Sequence, residues 1–365
     1  MKKHLVLSAV NLTEGGPLTI LRNCLSAAKE SLSSEWRISV IVHSASLIDI
    51  EGVEVLAFPN VKKRWLYRLI FEWWYLRKLS ENLNADLWLS LHDITPIVKA
   101  KRHAVYCHNA SPFYKIRASD LLHSRVLVAM RLLYGYLYSV NIHRNDFVIV
   151  QQEWLRKEFQ NRYNLNNIIV AYPQLSTDII SRNLQNNSPS LRRFFFPSLP
   201  RNFKNFEIIY AASAQLWKQG IRNFEVRLTT TPDENLYIHQ LSHKYKHLTC
   251  IKYLGRLSYN EVLEEYRNSD ALLFPSKLET WGLPLSEAKT AGLPIICSDL
   301  PYAHEAVGTY DNVRFCNFQD VDEWSEQMLS LIDNKWSPLS INFPQPQQPF
   351  CNDWKDLFHL LIAGL

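Results

Sequence analysis

Nowhere do the 365 residues gather a run approaching about 18 apolar positions, so no segment is expected to span a membrane. The six cysteines, Cys24, Cys107, Cys250, Cys297, Cys316 and Cys351, are scattered, with no Cys-x-x-Cys among them. That spacing argues against a disulfide framework or a zinc knuckle. The opening Met-Lys-Lys-His-Leu-Val-Leu-Ser-Ala-Val-Asn imitates a signal peptide, but its apolar stretch is too short and Gly-Gly-Pro follows instead of a cleavage site. The expected address is therefore the reducing cytoplasm. A GxGxxG fingerprint is missing, and so is any convincing internal repeat. The formal charge of +5 is modest, compatible with an anionic ligand, an anionic membrane surface or neither.

What is present is length for two domains, each with a full core. Strand-like and helix-like segments alternate, which predicts parallel sheets covered by helices on both faces. In the first half, strands are expected at His4–Val10, Arg37–His43, Val53–Phe58, Leu87–Leu91, Ala104–Cys107, Phe147–Val150 and Ile168–Ala171. Helices fall between them at Leu18–Leu32, Arg64–Asn82, Asp120–Ser139 and Trp154–Arg162. Gln174–Ser190, rich in Asn, Ser and Gln, reads as a linker. The alternation resumes with strands at Phe194–Phe196, Ile251–Leu254, Ala271–Phe274, Pro294–Cys297 and Val313–Phe315. Pro338–Pro349 breaks it, and Asp353–Leu361 forms a last helix. The expected division is 1–173, a linker 174–191, 192–345, and a terminal piece 346–365.

The most informative run is Leu278-Glu-Thr-Trp-Gly-Leu-Pro-Leu-Ser-Glu-Ala288. Pro284 suits the first turn of a helix, because its φ is already helical and its missing N–H would have no partner there. Gly292-Leu-Pro294 stops that helix after Ala291. Free amides at such a terminus attract anions, phosphate above all. Glu279 lies in the preceding loop and Glu287 one turn into the helix. Carboxylates accept hydrogen bonds from paired hydroxyls, so two of them flanking a phosphate site suit a nucleotide sugar. A solvated loop Glu and a first-turn Glu favoured by the helix dipole are the plain alternative.

The Glu-x7-Glu run and the Ala-Gly-Leu-Pro-Ile-Ile-Cys-Ser-Asp-Leu-Pro after it resemble the family-4 retaining glycosyltransferases. More narrowly, they resemble the bacterial enzymes of lipopolysaccharide and O-antigen assembly. Ser8-Ala-Val-Asn-Leu-Thr-Glu-Gly-Gly-Pro17, His92-Asp-Ile-Thr95, Tyr106-Cys-His-Asn-Ala-Ser-Pro-Phe-Tyr114, Phe196-Pro-Ser-Leu-Pro-Arg-Asn-Phe-Lys-Asn205 and Leu254-Gly-Arg-Leu257 match in the expected order. Together they span roughly residues 4 to 335. The resemblance implies the α/β GT-B architecture, two doubly wound Rossmann-like domains facing across a cleft, with the last helix returning to the first domain.

It further implies roles. Glu279 would orient the hydroxyls of the donor sugar and Glu287 the ribose. Lys204 matches the family lysine that holds the diphosphate. The family's arginine stands about five residues earlier, where this chain has Leu199, so Arg201 is a substitute by proximity. His108 would contact the sugar near its reacting carbon, although a hydrogen-bonded structural histidine is the common fate of a lone His. Gly15 and Gly16 open a helix after the first strand and would let backbone approach a phosphate, as a plain strand-to-helix turn would also require. Gly255, Arg256, Gly282 and Leu283 complete the donor set. The implied reaction moves a hexose or deoxyhexose, with retention of configuration by same-face attack, to a hydroxyl of a lipid-linked glycan acceptor at the inner membrane's cytoplasmic face. No metal or other cofactor is expected, since Lys, Arg and helix amides carry the phosphate charge. An epimerase, a soluble-acceptor synthase and a non-catalytic sugar-nucleotide binding subunit remain as alternatives.

Three other patterns carry competing readings. His239, His243 and His247 recur every fourth residue, yet no acidic partner completes a zinc signature. Asp320-Val-Asp322 spells a metal-binding Asp-x-Asp, but before Glu323-Trp-Ser it reads better as a helix N-cap. Val61–Lys78 interleaves Lys62, Lys63, Arg64, Arg68, Arg77 and Lys78 with six aromatic rings, which suits a membrane surface or a half-buried helix. Nucleic-acid binding is the other reading of basic-plus-aromatic, and nothing else in the chain supports it.

Overall fold

The computed structural model describes residues 2–13, 15–32, 35–61, 65–114, 125–173 and 191–365. Its chain divides into two compact units, Met1–Gln174 with Gln345–Leu365, and Leu175–Pro344. The expected linker, save residue 191, lies outside the described residues, as do positions 120–124 of the helix expected to start at Asp120.

The first unit is built on eight parallel strands: β1 Lys3–Ser8, β2 Trp36–Val42, β3 Val53–Ala57, β4 Ala85–Ser90, β5 Ala100–Cys107, β6 Phe147–Val150, β7 Ile168–Ala171 and β14 Phe350–Cys351. Their order in the sheet is β14-β7-β6-β5-β4-β1-β2-β3. Strands covered on both faces read as continuous apolar runs, and Leu5, Val6 and Leu7 of β1 are wholly buried. On one face the helix Gly15–Leu32 and the last helix, Trp354–Ile362, share a core through Leu21, Leu25, Trp354, Leu357 and Phe358. On the other, Phe71 and Leu76 pack against Val6, Ile41 and Trp88.

The second unit holds six parallel strands: β8 Arg192–Phe196, β9 Phe224–Leu228, β10 Ile251–Tyr253, β11 Ala271–Phe274, β12 Ile295–Ser298 and β13 Val313–Cys316. Their order is β10-β9-β8-β11-β12-β13. In both sheets the winding reverses once, between β1 and β4 and between β8 and β11. Ligands of open α/β sheets bind outside the carboxyl ends of the strands at such a reversal.

The structure differs from the sequence reading in three places. The helix expected at Arg64–Asn82 is broken: Trp65–Ile70 runs into a single π turn, Phe71–Tyr75, before Leu76–Leu83 resumes. β9 was not among the expected strands, although its buried Phe224, Val226 and Leu228 alternate with Glu225 and Arg227 in the period of a strand. β14 is only two residues long and carries no pattern of its own.

Candidate active site

At the second unit's reversal two loops are stitched together. The loop after β8 makes one short turn, Asn202–Lys204, before Asn205 takes a left-handed conformation and the helix Phe206–Lys218 begins. The loop after β11 meets it where the Lys277 amide donates to the Phe203 carbonyl at 2.7 Å. Tyr302, wholly buried, donates to the Ser276 carbonyl at 2.7 Å and fixes the same loop from the other side.

This stitching brings Lys204 and Glu279 into a direct ion pair, Nζ to Oε1. Both side chains are mostly withdrawn from solvent, at 18% and 15% exposure, so the pair is worth more than a surface bridge. The Lys204 ammonium also lies over the rings of Phe203, at 5.5 Å, and Phe274, at 5.6 Å.

The helix Leu283–Thr290 starts beside this pair, with Pro284 in its first turn. Gly282 precedes it at φ 85°, a left-handed conformation that only glycine adopts without strain. A Cβ there would stand 3.3 Å from both Phe274 Cε1 and Leu285 Cδ1. No side chain caps this terminus. The Leu283 amide is therefore among those left for an anion. Glu287, a turn later, accepts a hydrogen bond from the Tyr266 hydroxyl at 2.8 Å. Burial raises its carboxyl above the ordinary range, more than the Tyr266 bond lowers it.

The remaining residues stand differently. Arg201 caps the Asn202–Lys204 turn through its backbone, and its side chain is exposed. Gly255 follows edge strand β10 at φ 74°. Arg256, 75% exposed, pairs with Glu234 at 3.0 Å, so it is not gathered into the Lys204–Glu279 cluster. Thr230 and Arg256 hold the Glu234 carboxyl below its usual range in spite of burial.

In the first unit, Gly15 has φ 60° and, with Gly16, opens an 18-residue helix after β1. His108 follows β5. Its amide donates to Asp93 Oδ1 at 2.7 Å, and its Nδ1 lies 3.7 Å from that oxygen. Cys107 is wholly buried, and burial holds its thiol well above the usual range, which argues against a thiolate nucleophile. His239 and His243 stack at 6.5 Å, and among the described residues no group of three His, Cys, Asp or Glu is arranged to hold a metal ion. Asp320 caps the helix Val321–Ile332, accepting from the Glu323 amide at 3.1 Å.

Tyr266, Tyr302 and Phe274 are the residues that the sequence reading missed. Each reads as an ordinary core aromatic, and only the fold turns the two hydroxyls toward this corner.

Two carboxylates, a lysine and an uncapped helix end thus lie together at the sheet reversal. Residues 158–344 match the family model described as Glycosyl transferases group 1, and the chain belongs to that family. It is thus a glycosyltransferase. Over 320 residues it is 21% identical to the O-antigen chain mannosyltransferase RfbU of Salmonella typhimurium, covering 84% of each chain. Among solved structures it resembles sucrose-phosphate synthase from Thermosynechococcus elongatus, with TM-score 0.67, 14% identity, and coverage of 92% of this chain and 91% of that one. It also resembles WaaG, a glycosyltransferase involved in lipopolysaccharide biosynthesis, with TM-score 0.65, 15% identity and 90% of each chain covered. At such identities the structural likeness carries the fold alone, the GT-B architecture.

Proposed function

We propose that the enzyme transfers a hexose, with mannose the first to try, from a nucleoside-diphosphate sugar to a hydroxyl of a lipid-linked oligosaccharide in lipopolysaccharide or O-antigen assembly. The buried Lys204–Glu279 pair beside the uncapped Gly282–Leu283 helix end is the observation that carries this reading. Diphosphate settles against the amides, and Lys204 exchanges part of its bond to Glu279 for a phosphate oxygen. Glu279, released on that side, accepts from the sugar hydroxyls, while Glu287 accepts from the ribose.

As the glycosidic bond breaks, negative charge grows on the leaving diphosphate, and Lys204, with Arg201 swinging in from solvent, stabilises it. Configuration is retained by same-face attack, the departing phosphate taking the acceptor proton. In this scheme cationic side chains and helix amides do the work for which other enzymes use a metal ion. His108 and the Gly15–Gly16 turn serve the sugar and phosphate from the first unit, and Gly255 with Arg256 borders the donor.

The acceptor's lipid calls for a membrane surface. Leu66, Tyr67, Ile70 and Trp74 share an exposed helical face, with Arg77 and Lys78 also exposed nearby in sequence, and Leu132, Leu133 and Tyr136 form a second such face on the helix Arg125–Ser139. Aromatic and basic side chains together suit the headgroup layer of an anionic bilayer. No helix among the described residues is long and apolar enough to cross one.

The test is to incubate the protein with nucleotide-activated mannose, glucose and galactose and a lipid-linked acceptor, with and without chelator, and to assign the anomeric centre of any product by NMR. Transfer with retention, indifferent to chelator, supports the proposal. Inversion, or a strict metal requirement, overturns its mechanism.

A further inference from the structure

The reversal point of the first unit, between β1 and β4, is filled by polar side chains that the donor-site reading leaves unused. Ser8 ends β1, and its Oγ lies 3.0 Å from Nε2 of His92, which follows β4. The same Nε2 stands 3.2 Å from Oε1 of Glu72, and both side chains are wholly buried, at 1% and 0% exposure. Glu72 sits on the π turn Phe71–Tyr75, a local break in helical geometry of the kind that often accompanies function.

One turn earlier lies Arg68, only 5% exposed. Its guanidinium donates to the His92 carbonyl at 3.0 Å. With the Asn11 amide turned so that its oxygen faces the guanidinium, that oxygen accepts from Arg68 Nε at 3.1 Å and Nη2 at 3.0 Å.

The two acceptors lie on the loops after β1 and β4, next to residues of the proposed donor site. Asn11 lies four residues before Gly15. His92 is joined to Asp93, which is held at φ 71° and accepts from the His108 amide at 2.7 Å, the Asn109 amide at 3.1 Å and the Tyr138 hydroxyl at 2.7 Å. Hydrogen bonds thus tie Arg68 to Asn11 on the loop after β1 and, through the backbone of His92 and the Asp93 carboxylate, to the backbone of His108, while Glu72 lies against the same His92 ring.

We propose that Arg68 and Glu72 are positioning residues for sugar transfer: they lock the loops after β1 and β4 together and, through Asp93, fix where His108 stands. The consequence for transfer rests on the reading of His108 given above. The coupling between loops does not.

Burial raises the Glu72 carboxyl to about 8, with Arg68 opposing, and holds the His92 imidazole well below its usual range. At neutral pH the Glu72–His92 pair is therefore uncharged. The charged or titratable groups around it are Arg68, from the preceding turn, which the Tyr134 hydroxyl of the helix Arg125–Ser139 also engages, and His108, from the loop after β5. Ionising Glu72 draws the guanidinium towards the carboxylate and away from Asn11 and the His92 carbonyl.

Two readouts on the full chain test this. Amide exchange at His108 and Asn109 should quicken in Arg68→Lys and, in the wild type, above about pH 8 once corrected for intrinsic rates, but not in Glu72→Gln. In transfer assays Arg68→Lys should lower kcat about tenfold or more with donor KM little changed. Glu72→Gln should remove the alkaline fall in kcat. Should Arg68→Lys misfold, Asn11→Ala removes the Arg68–Asn11 bond from the other side and should lower kcat likewise. Exchange that ignores both Arg68→Lys and pH overturns the coupling. A kcat unmoved by Arg68→Lys or Asn11→Ala overturns the positioning role. Wild-type protein inactive with every donor would sink the functional reading, and the exchange measurements would still decide the coupling.

Discussion

Tyr266 donates a hydrogen bond of 2.8 Å to Glu287 from a ring that is wholly buried, edge-on to Phe195 with centroids 5.2 Å apart. The hydroxyl holds one carboxylate oxygen, and in the proposed reading the other accepts from the ribose. Tyr266→Phe keeps the ring packing and removes that bond, worth about 1 kcal/mol, together with a longer one of 3.4 Å to the Pro284 carbonyl. Affinity for a nucleoside diphosphate is expected to fall about fivefold by calorimetry. A ligand lacking both ribose hydroxyls should bind the two proteins equally.

The buried Glu287 carboxyl also predicts a pH dependence. An acid whose folded-state pKa is raised binds its proton more tightly when folded than when unfolded. Its contribution to stability is therefore greatest below the ordinary glutamate range and declines as pH climbs from there to the raised value. Thermal melts between about pH 4 and pH 8 should show a shallower decline in Glu287→Gln. Nucleotide affinity runs the other way, rising with pH as Glu287 ionises, and that rise should vanish in the variant.

Gly282→Ala tests the backbone at the helix start. At φ 85° any side chain is strained, and the added Cβ presses on Phe274 and Leu285 at 3.3 Å. A loss of about 1–3 kcal/mol is expected, read by denaturant unfolding. Transfer activity should fall further than the stability loss alone would require.

Trp74 is 74% exposed and Tyr136 66%. Burying a large aromatic side chain contributes about 2 kcal/mol, so Trp74→Ser should weaken co-sedimentation with anionic vesicles about tenfold or more. The melting temperature should hardly move, because neither ring supports the core.

Much of this architecture was legible in the chain. The central strands are continuous apolar runs, and the Pro284 helix start announced itself through steric rules that need no tertiary context. Glu279 and Lys204 stood out as types of residue in a suggestive order, but their contact arises from the stitching of Lys277 to Phe203 across 74 positions of sequence, which no local pattern encodes. Tyr266 and Glu72 were invisible for a related reason. A buried tyrosine looks like core and a helical glutamate looks solvated until the fold shows what surrounds them. Arg68 reads in sequence as one cation of a basic, aromatic helix, whereas its guanidinium turns inward.

Calorimetric titration of uridine and guanosine diphosphate into wild type and Lys204→Ala tests the central claim most directly. A charge-assisted bond to phosphate is worth about 1.5–3 kcal/mol, so the substitution should weaken binding of the preferred nucleotide by about tenfold or more. Equal affinity in the two proteins would contradict the account.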